Sequence, residues 1–451
     1  MLPTVELTGE IKGRVILPDD PGYDRARAVF LGNFDARPQL IVRAEDAADV
    51  ARVIALARET GLELAVRSGG HSGAGHGTSD GGIVLDLSEL RALEIDADRR
   101  TAWAGAGLTT GAYTTAAAAH GLATGFGDSG SVGVGGITLA GGIGYLVRKH
   151  GLTIDNVLAA EVVTAGGELV RADAGRHPDL FWAIRGGGGN FGVVTRLRFR
   201  LHEVSTIVGG MLVLPATPEV IVSFLAAAEA APEELSTIAA VMPAPPLPFL
   251  SPEHHGRPVV LATIAYAGAV EDGERAVAPF RALGTPLADM VRPMPYPDLF
   301  PPEPADARPR AAMRTMLADR LDRDAAETIL EHVRAASAPM AVTQLRVLGG
   351  AMARVPADAT AFAHRDRRLM LTVAAMYQHA EEQPVHERWV AGLAAELDTA
   401  DSGAYVGFLG DEGEARIRAA YPAVIWDRLT AVKARYDPDN LFRVNQNIPP
   451  A

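Results

Sequence analysis

The segment Arg67-Ser68-Gly69-Gly70-His71-Ser72-Gly73-Ala74-Gly75 holds residue types that could bind an anion and attack a carbon. It follows a run in which Leu62, Leu64 and Val66 alternate with Glu63, Ala65 and Arg67, the period of a strand. A strand that opens into glycines lets backbone N–H groups approach an anion, because no Cβ intervenes. Arg67 would add a fixed positive charge beside that nest, and a pyrophosphate suits it. His71 is then a nucleophile set where a cofactor must pass. A metal cluster of His71 with His76 and Asp80 is a second reading, but the spacing suits neither a helical nor a hairpin site and no further ligand group is evident. No metal is expected. A structural loop histidine is the third reading. The glycines at 69, 70, 73, 75 and 77 favour one that faces a cofactor.

Two further glycine-rich segments invite close approach by a flat ligand or by another element. Gly130–Gly136 runs on into Ile137–Gly144, too glycine-dense for an ordinary helix interior. Tight turns in helix–strand packing would explain that density equally well. Gly187–Gly192 spells G-x-G-x-x-G, but a dinucleotide fingerprint of the Rossmann type must open a helix. Val193–Leu201 instead alternates Thr195, Leu197, Phe199 and Leu201 with Arg196, Arg198 and Arg200, as a strand does. The Rossmann reading is rejected.

The elements that position these motifs fall into three zones. Residues 38–203 alternate strands with helices. Asp46–Thr60 is expected to be a helix, with Val50, Val53, Ile54 and Ala57 at helical spacing and Gly61 as its stop. Thr109–His120 is a second, with Gly121 as its C′ residue. The middle zone, 205–405, is expected to carry strands at Ile207–Val213, Val259–Ala265, Val342–Leu348 and Leu369–Met376. Its helices are expected at Pro218–Ala231, Glu271–Leu283, Arg323–Ala336 and His386–Leu397. The proline-rich Met242–Pro252 and Pro293–Pro309 read as loops over a site. The tail, Tyr421–Pro450, is expected to hold a helix ending at Tyr436 before the stop signal Asp437-Pro438-Asp439-Asn440.

Composition bounds the class. With 451 residues and 48% hydrophobic content, the chain can build two or three domains. A net charge of −13 argues against nucleic acid, which needs a concentrated basic surface. No apolar run reaches the roughly 20 residues that span a bilayer, and no basic-then-apolar leader opens the sequence. Absence of cysteine removes disulfides, thiolate metal sites and cysteine nucleophiles, and suits a cytoplasmic location.

Five segments, in order, carry a resemblance: Arg67–Ser72, Val132–Gly136, His150–Val157, Asp179–Val194 and Tyr436–Pro450. Together they resemble the berberine bridge enzyme-like branch of the vanillyl-alcohol oxidase/p-cresol methylhydroxylase flavoproteins. The match covers most of residues 35–203 and 421–450 and is weak in the middle zone, where substrate specificity should lie. The resemblance implies an α+β fold: a two-part FAD-binding domain formed by both chain ends, 1–204 and 406–451, with an inserted antiparallel-sheet substrate domain, 205–405, covered by helices. It implies that His71 is bonded covalently to the 8α carbon of FAD, with Arg67, Ser68, Gly69, Gly70 and Ser72 cradling the pyrophosphate. Ser131, Val132, Gly135, Gly136, Gly141, Gly142 and Gly144 would run past the isoalloxazine. Val194 would sit near the adenine, and Asn445 and Asn447 near the ring's polar edge.

Departures from the family pattern are informative. Many relatives attach the flavin a second time through a cysteine three residues before the position of Val132. Ser129 stands there, so attachment is single at most. Relatives often place a tyrosine two residues after the linked histidine, where this chain has Gly73. The family's gate to dioxygen lies at Val132, and its small side chain suggests an oxidase. A general base would help an alcohol substrate. The candidates are Tyr377 and His379, on the strand face of Leu371, Val373 and Ala375, and Tyr405, with core packing as the plain alternative for each aromatic. The lead reading is an oxidase of a small amine or secondary alcohol that releases hydrogen peroxide. A secondary-metabolite tailoring oxidase or dehydrogenase, including oxidative cyclisation, is the second, and a flavin-binding protein without turnover the third. Carbohydrate oxidation is less expected, because open sugar grooves in this family go with double attachment.

Overall fold

The computed structural model describes residues 9–204, 206–301, 304, 307–398 and 403–451. The proline-rich stretch 293–309 therefore lies partly outside the described residues.

A four-stranded sheet opens the fold, in the order Arg14–Ile16, Leu40–Arg43, Ile83–Asp86, Leu64–Arg67. Its last two pairings are parallel, with Leu40 opposite Ile83 and Leu64 opposite Ile83. A parallel pair needs a crossover, and the helix Ala47–Thr60 supplies it. Asp46 caps that helix by accepting the N–H groups of Ala48 and Asp49, and Gly61 ends it at φ 68°. Val50, Val53, Ile54 and Ala57 seal the helix against Leu40, Val42, Leu64, Ile83 and Leu85.

A five-stranded antiparallel sheet follows, in the order Leu93–Asp96, Thr101–Gly105, Val193–Arg200, Val157–Val163, Leu169–Asp173. Its core takes in Phe126, Phe181, Trp182 and Phe199, together with Tyr421, Trp426, Leu429 and Ile448 from the tail. The tail helix spans Ala423–Tyr436.

Between these parts lies a large antiparallel sheet. Its central strands are Thr206–Pro215, Pro258–Tyr266, Leu235–Pro243, Met340–Val347, Leu369–Tyr377 and Arg310–Ala318, in that spatial order. The helices Pro218–Ala230, Val270–Arg281, Arg323–Ala335 and Gln383–Leu397 cover one face. The other face meets the rest of the chain through Ile238, Ala265, Leu317 and Met370, packed on Tyr145, Ile143 and Tyr405. Arg148 joins the two parts: its buried guanidinium donates to the carbonyls of Ala228, Glu229 and Ala231 at the end of the Pro218–Ala230 helix and to that of Leu235, where the Leu235–Pro243 strand begins.

Three expectations need correction. Leu235–Pro243 and Arg310–Ala318 are strands that the sequence pattern did not reveal. Val134–Ala140 is a short helix despite its glycines. A Cβ at Gly135 would crowd Ala106, so close packing onto the Thr101–Gly105 strand explains that residue. Met242–Pro252 does not roof a site: Met242, Ala244 and Leu250 pack with Val213 and Val259 at the far end of the large sheet.

Candidate active site

A cavity of about 470 Å³ opens between the two smaller sheets, the large sheet and the tail. Its wall is built where loops cross without side chains. A Cβ at Gly69 would overlap the Gly133 backbone, and one at Gly133 would overlap Ser68. The loop after Leu64–Arg67 therefore lies flat against the start of the Val134–Ala140 helix. Gly70 holds φ 72°, which turns the chain so that His71 enters the wall. Gly136 and Gly189 also line the cavity and have open space where a Cβ would stand.

His71 is held on two sides. Its ring stacks on Phe30 with centroids 4.1 Å apart, and its Nε2 lies 3.0 Å from Ser131 Oγ. Ser131 Oγ is in turn 3.1 Å from Ser129 Oγ. Arg67 does not present a free charge to the wall. Its guanidinium donates to Asp86 Oδ2 at 2.9 Å and to the Ala26 carbonyl at 2.6 Å, and the side chain is buried. Burial alone would raise the Asp86 carboxyl, but Arg67 holds it below the usual carboxylate range. Arg67 thus braces strand and loop, and its charge is shared with Asp86. Arg67 and its neighbours Ser68, Gly69, Gly70 and Ser72 all line the cavity.

Among the other expected residues, Val132, Gly135, Gly136, Val194 and Asn445 line the cavity. Gly141, Gly142 and Gly144 do not. Side chains there would meet Tyr405, Thr153 and the carbonyls of Phe126 and Gly127, so the glycines serve packing between protein segments. Asn447 is also absent from the wall, and Gln446 takes its place beside Asn445. Ser131 stands behind the wall against His71.

The proposed bases on the Leu369–Tyr377 strand are misplaced. Leu371, Val373, Ala375 and Tyr377 do share a face, but it is the helix-covered one. Tyr377 accepts a hydrogen bond from Asn33 Nδ2 at 2.8 Å and stacks on His386. His379 is exposed, where its backbone N–H donates to Glu382. Neither lines the cavity.

Tyr405 does. Its hydroxyl oxygen accepts the Gly142 N–H at 2.9 Å, and burial pushes its pKa up to about 12. It stays protonated near neutrality and offers a donor, not a base. His76, also in the wall, is pressed down to about 4 by burial, against the attraction of Asp411, and is neutral. One ionisable wall residue went unread in the sequence. Asp128 lines the cavity and pairs at 2.6 Å with Arg346 of the large sheet, 218 positions away.

A family model for an FAD binding domain matches residues 38–173, and one described as berberine and berberine like matches residues 416–449. The (R)-6-hydroxynicotine oxidase of Paenarthrobacter nicotinovorans is 33% identical across 98% of this chain and 97% of its own. An uncharacterized FAD-linked oxidoreductase of Bacillus subtilis is 30% identical across 98% of both. The crystal structure of 6-hydroxy-D-nicotine oxidase from Arthrobacter nicotinovorans superimposes with a TM-score of 0.87 at 30% identity over 98% of each chain.

The chain belongs to the berberine bridge enzyme-like FAD-linked oxidoreductases. The cavity of this flavoprotein fits FAD on its own terms. Gly136 and Gly189 leave open backbone where a flat ring or a phosphate can approach, and the loop from Ser68 to Ser72 brings amide groups to the same wall. The Oδ1 atom of Asn445 is buried without a hydrogen-bond partner, while its Nδ2 donates to the Phe442 carbonyl. A buried amide oxygen left over at a cavity wall suits a ligand donor such as a flavin N–H. Among the described residues no group of three or more histidine, aspartate or glutamate side chains could hold a metal, and no helix is long and apolar enough to cross a membrane.

Proposed function

We propose that this FAD-linked oxidoreductase is an oxidase of a small amine or secondary alcohol, with FAD attached through His71 alone and dioxygen as the final acceptor. The observation that carries the reading is His71 itself: an imidazole in the cavity wall, clamped between Phe30 and Ser131, in a chain without cysteine. The relative named (R)-6-hydroxynicotine oxidase supports a small molecule and oxidase turnover.

Residues 1–204 and 406–451 would form the cofactor unit, and 205–405 would cover the substrate. Bound FAD supplies the hydride acceptor and the reaction with dioxygen. The chain supplies orientation and exclusion of water. Met313, Phe408, Leu409 and Ile143 give the cavity an apolar lining, which strengthens the few polar contacts made inside it. Tyr405 would donate its hydroxyl hydrogen to the lone pair of an alcohol oxygen or of an amine nitrogen once unprotonated. Gly73 leaves room, closed at 3.2 Å from where a Cβ would stand by Met313 Sδ.

The test is anaerobic mixing of the yellow protein with a panel of small amines and secondary alcohols. Bleaching by at least one, then recovery of colour in air with release of peroxide, is expected. No bleaching by any member rejects the reading. Bleaching without recovery in air makes the protein a dehydrogenase instead.

A further inference from the structure

Asp128 is the one carboxylate among the described residues that line the cavity. It sits in the segment whose Ser129 and Ser131 hydroxyls lead to His71. Its Oδ2 accepts Arg346 Nη2 at 2.6 Å, and the two side chains differ sharply in exposure, 28% for Asp128 and 3% for Arg346. The carboxylate reaches the cavity while the guanidinium stays behind it.

Arg346 is fixed there. Its Nη1 donates to the Ile143 carbonyl at 3.0 Å, and its Nε and Nη2 donate to Gln344 Oε1 at 3.0 and 2.8 Å. Phe408 covers it, with the ring centroid 5.2 Å from the guanidinium carbon. It cannot swing forward to meet an anion. Of the other ionisable wall groups, Arg67 has its guanidinium on Asp86 and the Ala26 carbonyl, and His76 is neutral. With Oδ2 taken by Arg346, the carboxylate has its second oxygen, Oδ1, to offer a ligand.

We infer that Asp128 Oδ1 accepts a hydrogen bond from a substrate N–H, and that the substrate class is a small amine in preference to a secondary alcohol. The inference rests on the oxidase reading of the same cavity. A protonated amine brings a full positive charge to that oxygen and an alcohol only a neutral donor, and the apolar surroundings keep water from levelling the difference. Asp128 here selects the ligand and is assigned no proton transfer. If the Asp128–Arg346 pair served only to hold the large sheet against the rest of the chain, it would not distinguish an amine from an alcohol of the same shape.

The experiment uses the flavin-loaded protein, 1-phenylethylamine and 1-phenylethanol, and reads binding from perturbation or bleaching of the flavin spectrum without oxygen. The amine is expected to bind at least tenfold more tightly than the alcohol. Asp128→Asn, which keeps the side-chain volume, should erase that preference while leaving the alcohol within about twofold of its original affinity. Equal affinities in the unmodified protein overturn the inference, as does binding of neither probe or a preference that survives in Asp128→Asn. If the variant fails to fold, the preference of the unmodified protein decides alone. A protein that carries no flavin fails the oxidase reading rather than this one.

Discussion

Ser131 Oγ lies 3.0 Å from His71 Nε2, and Phe30 stacks on the same ring at 4.1 Å. The imidazole is thus oriented before any cofactor arrives, as a nucleophile must be if attachment is to compete with dissociation. His71→Ala should leave a protein that binds FAD only reversibly. Acid denaturation would keep the yellow colour on the unmodified polypeptide and release all of it from the variant. Ser131→Ala should slow attachment without abolishing it, read as the fraction of covalent flavin over time during reconstitution. Colour released from the unmodified protein would sink the linkage.

Tyr405→Phe removes the hydroxyl that receives the Gly142 N–H and, in the proposed function, donates to the substrate. Loss of the hydrogen bond to the substrate costs about 1–3 kcal/mol, which places the loss in kcat/KM at roughly 5- to 150-fold. With its pKa pushed up to about 12, Tyr405 does not change charge across the neutral range. The pH profile of the variant should keep the parent's shape at lower height. A limb that vanishes with the hydroxyl would instead make Tyr405 a titrating base.

The sequence revealed the cofactor loop and most of the elements because each is coded locally. The Asp46 cap, the Gly61 stop and the alternation of Val193–Arg200 need no distant partner to be read. Leu235–Pro243 was hidden because a central strand buried on both faces shows no alternation. The partner of Arg67 was hidden because Asp86 is set opposite it by parallel register between neighbouring strands, with a helix-free loop of glycines between them in sequence. Tyr377 and His379 were placed on one strand face correctly for Tyr377, yet a period of two cannot say which face the helices cover. Asp128 was unreadable for the same reason, since only the large sheet's docking brings Arg346 to it.

Lys433 anchors the tail that carries Asn445. Its ammonium is fully buried and donates to Asp437 Oδ2 at 2.6 Å and to the carbonyls of Asn190 and Phe442 at 2.8 and 2.9 Å. Asp437 in turn accepts the N–H groups of Leu441 and Phe442. Removing one member of a buried pair strands the other, at a cost of about 3–5 kcal/mol. Lys433→Met should therefore lower stability by that order in urea unfolding and reduce flavin occupancy. Lys433→Met combined with Asp437→Asn should cost less than Lys433→Met alone. A double variant that is worse than the single would show that the ammonium matters through its carbonyl contacts and not through the charge pair.

His150 and His202 stack with centroids 3.8 Å apart, outside the flavin cavity, and His150 Nε2 is buried without a partner. Burial pushes His150 down to about 3 and His202 down to about 4; the neighbouring His202 and Lys149 add to the first shift, and Arg200 and Lys149 to the second. The folded state thus refuses protons that the unfolded chain takes up near the ordinary histidine value of about 6.5. Their contribution to stability is whole above that pH and is lost as pH falls toward about 4 and then about 3. While both titrate, each adds a slope of up to about 1.4 kcal/mol per pH unit. His150→Phe keeps a flat ring against His202 and removes one of the two groups. Urea midpoints measured across that acid range should fall less steeply in the variant, whereas parallel curves would mean that the folded protein already accepts the proton on His150.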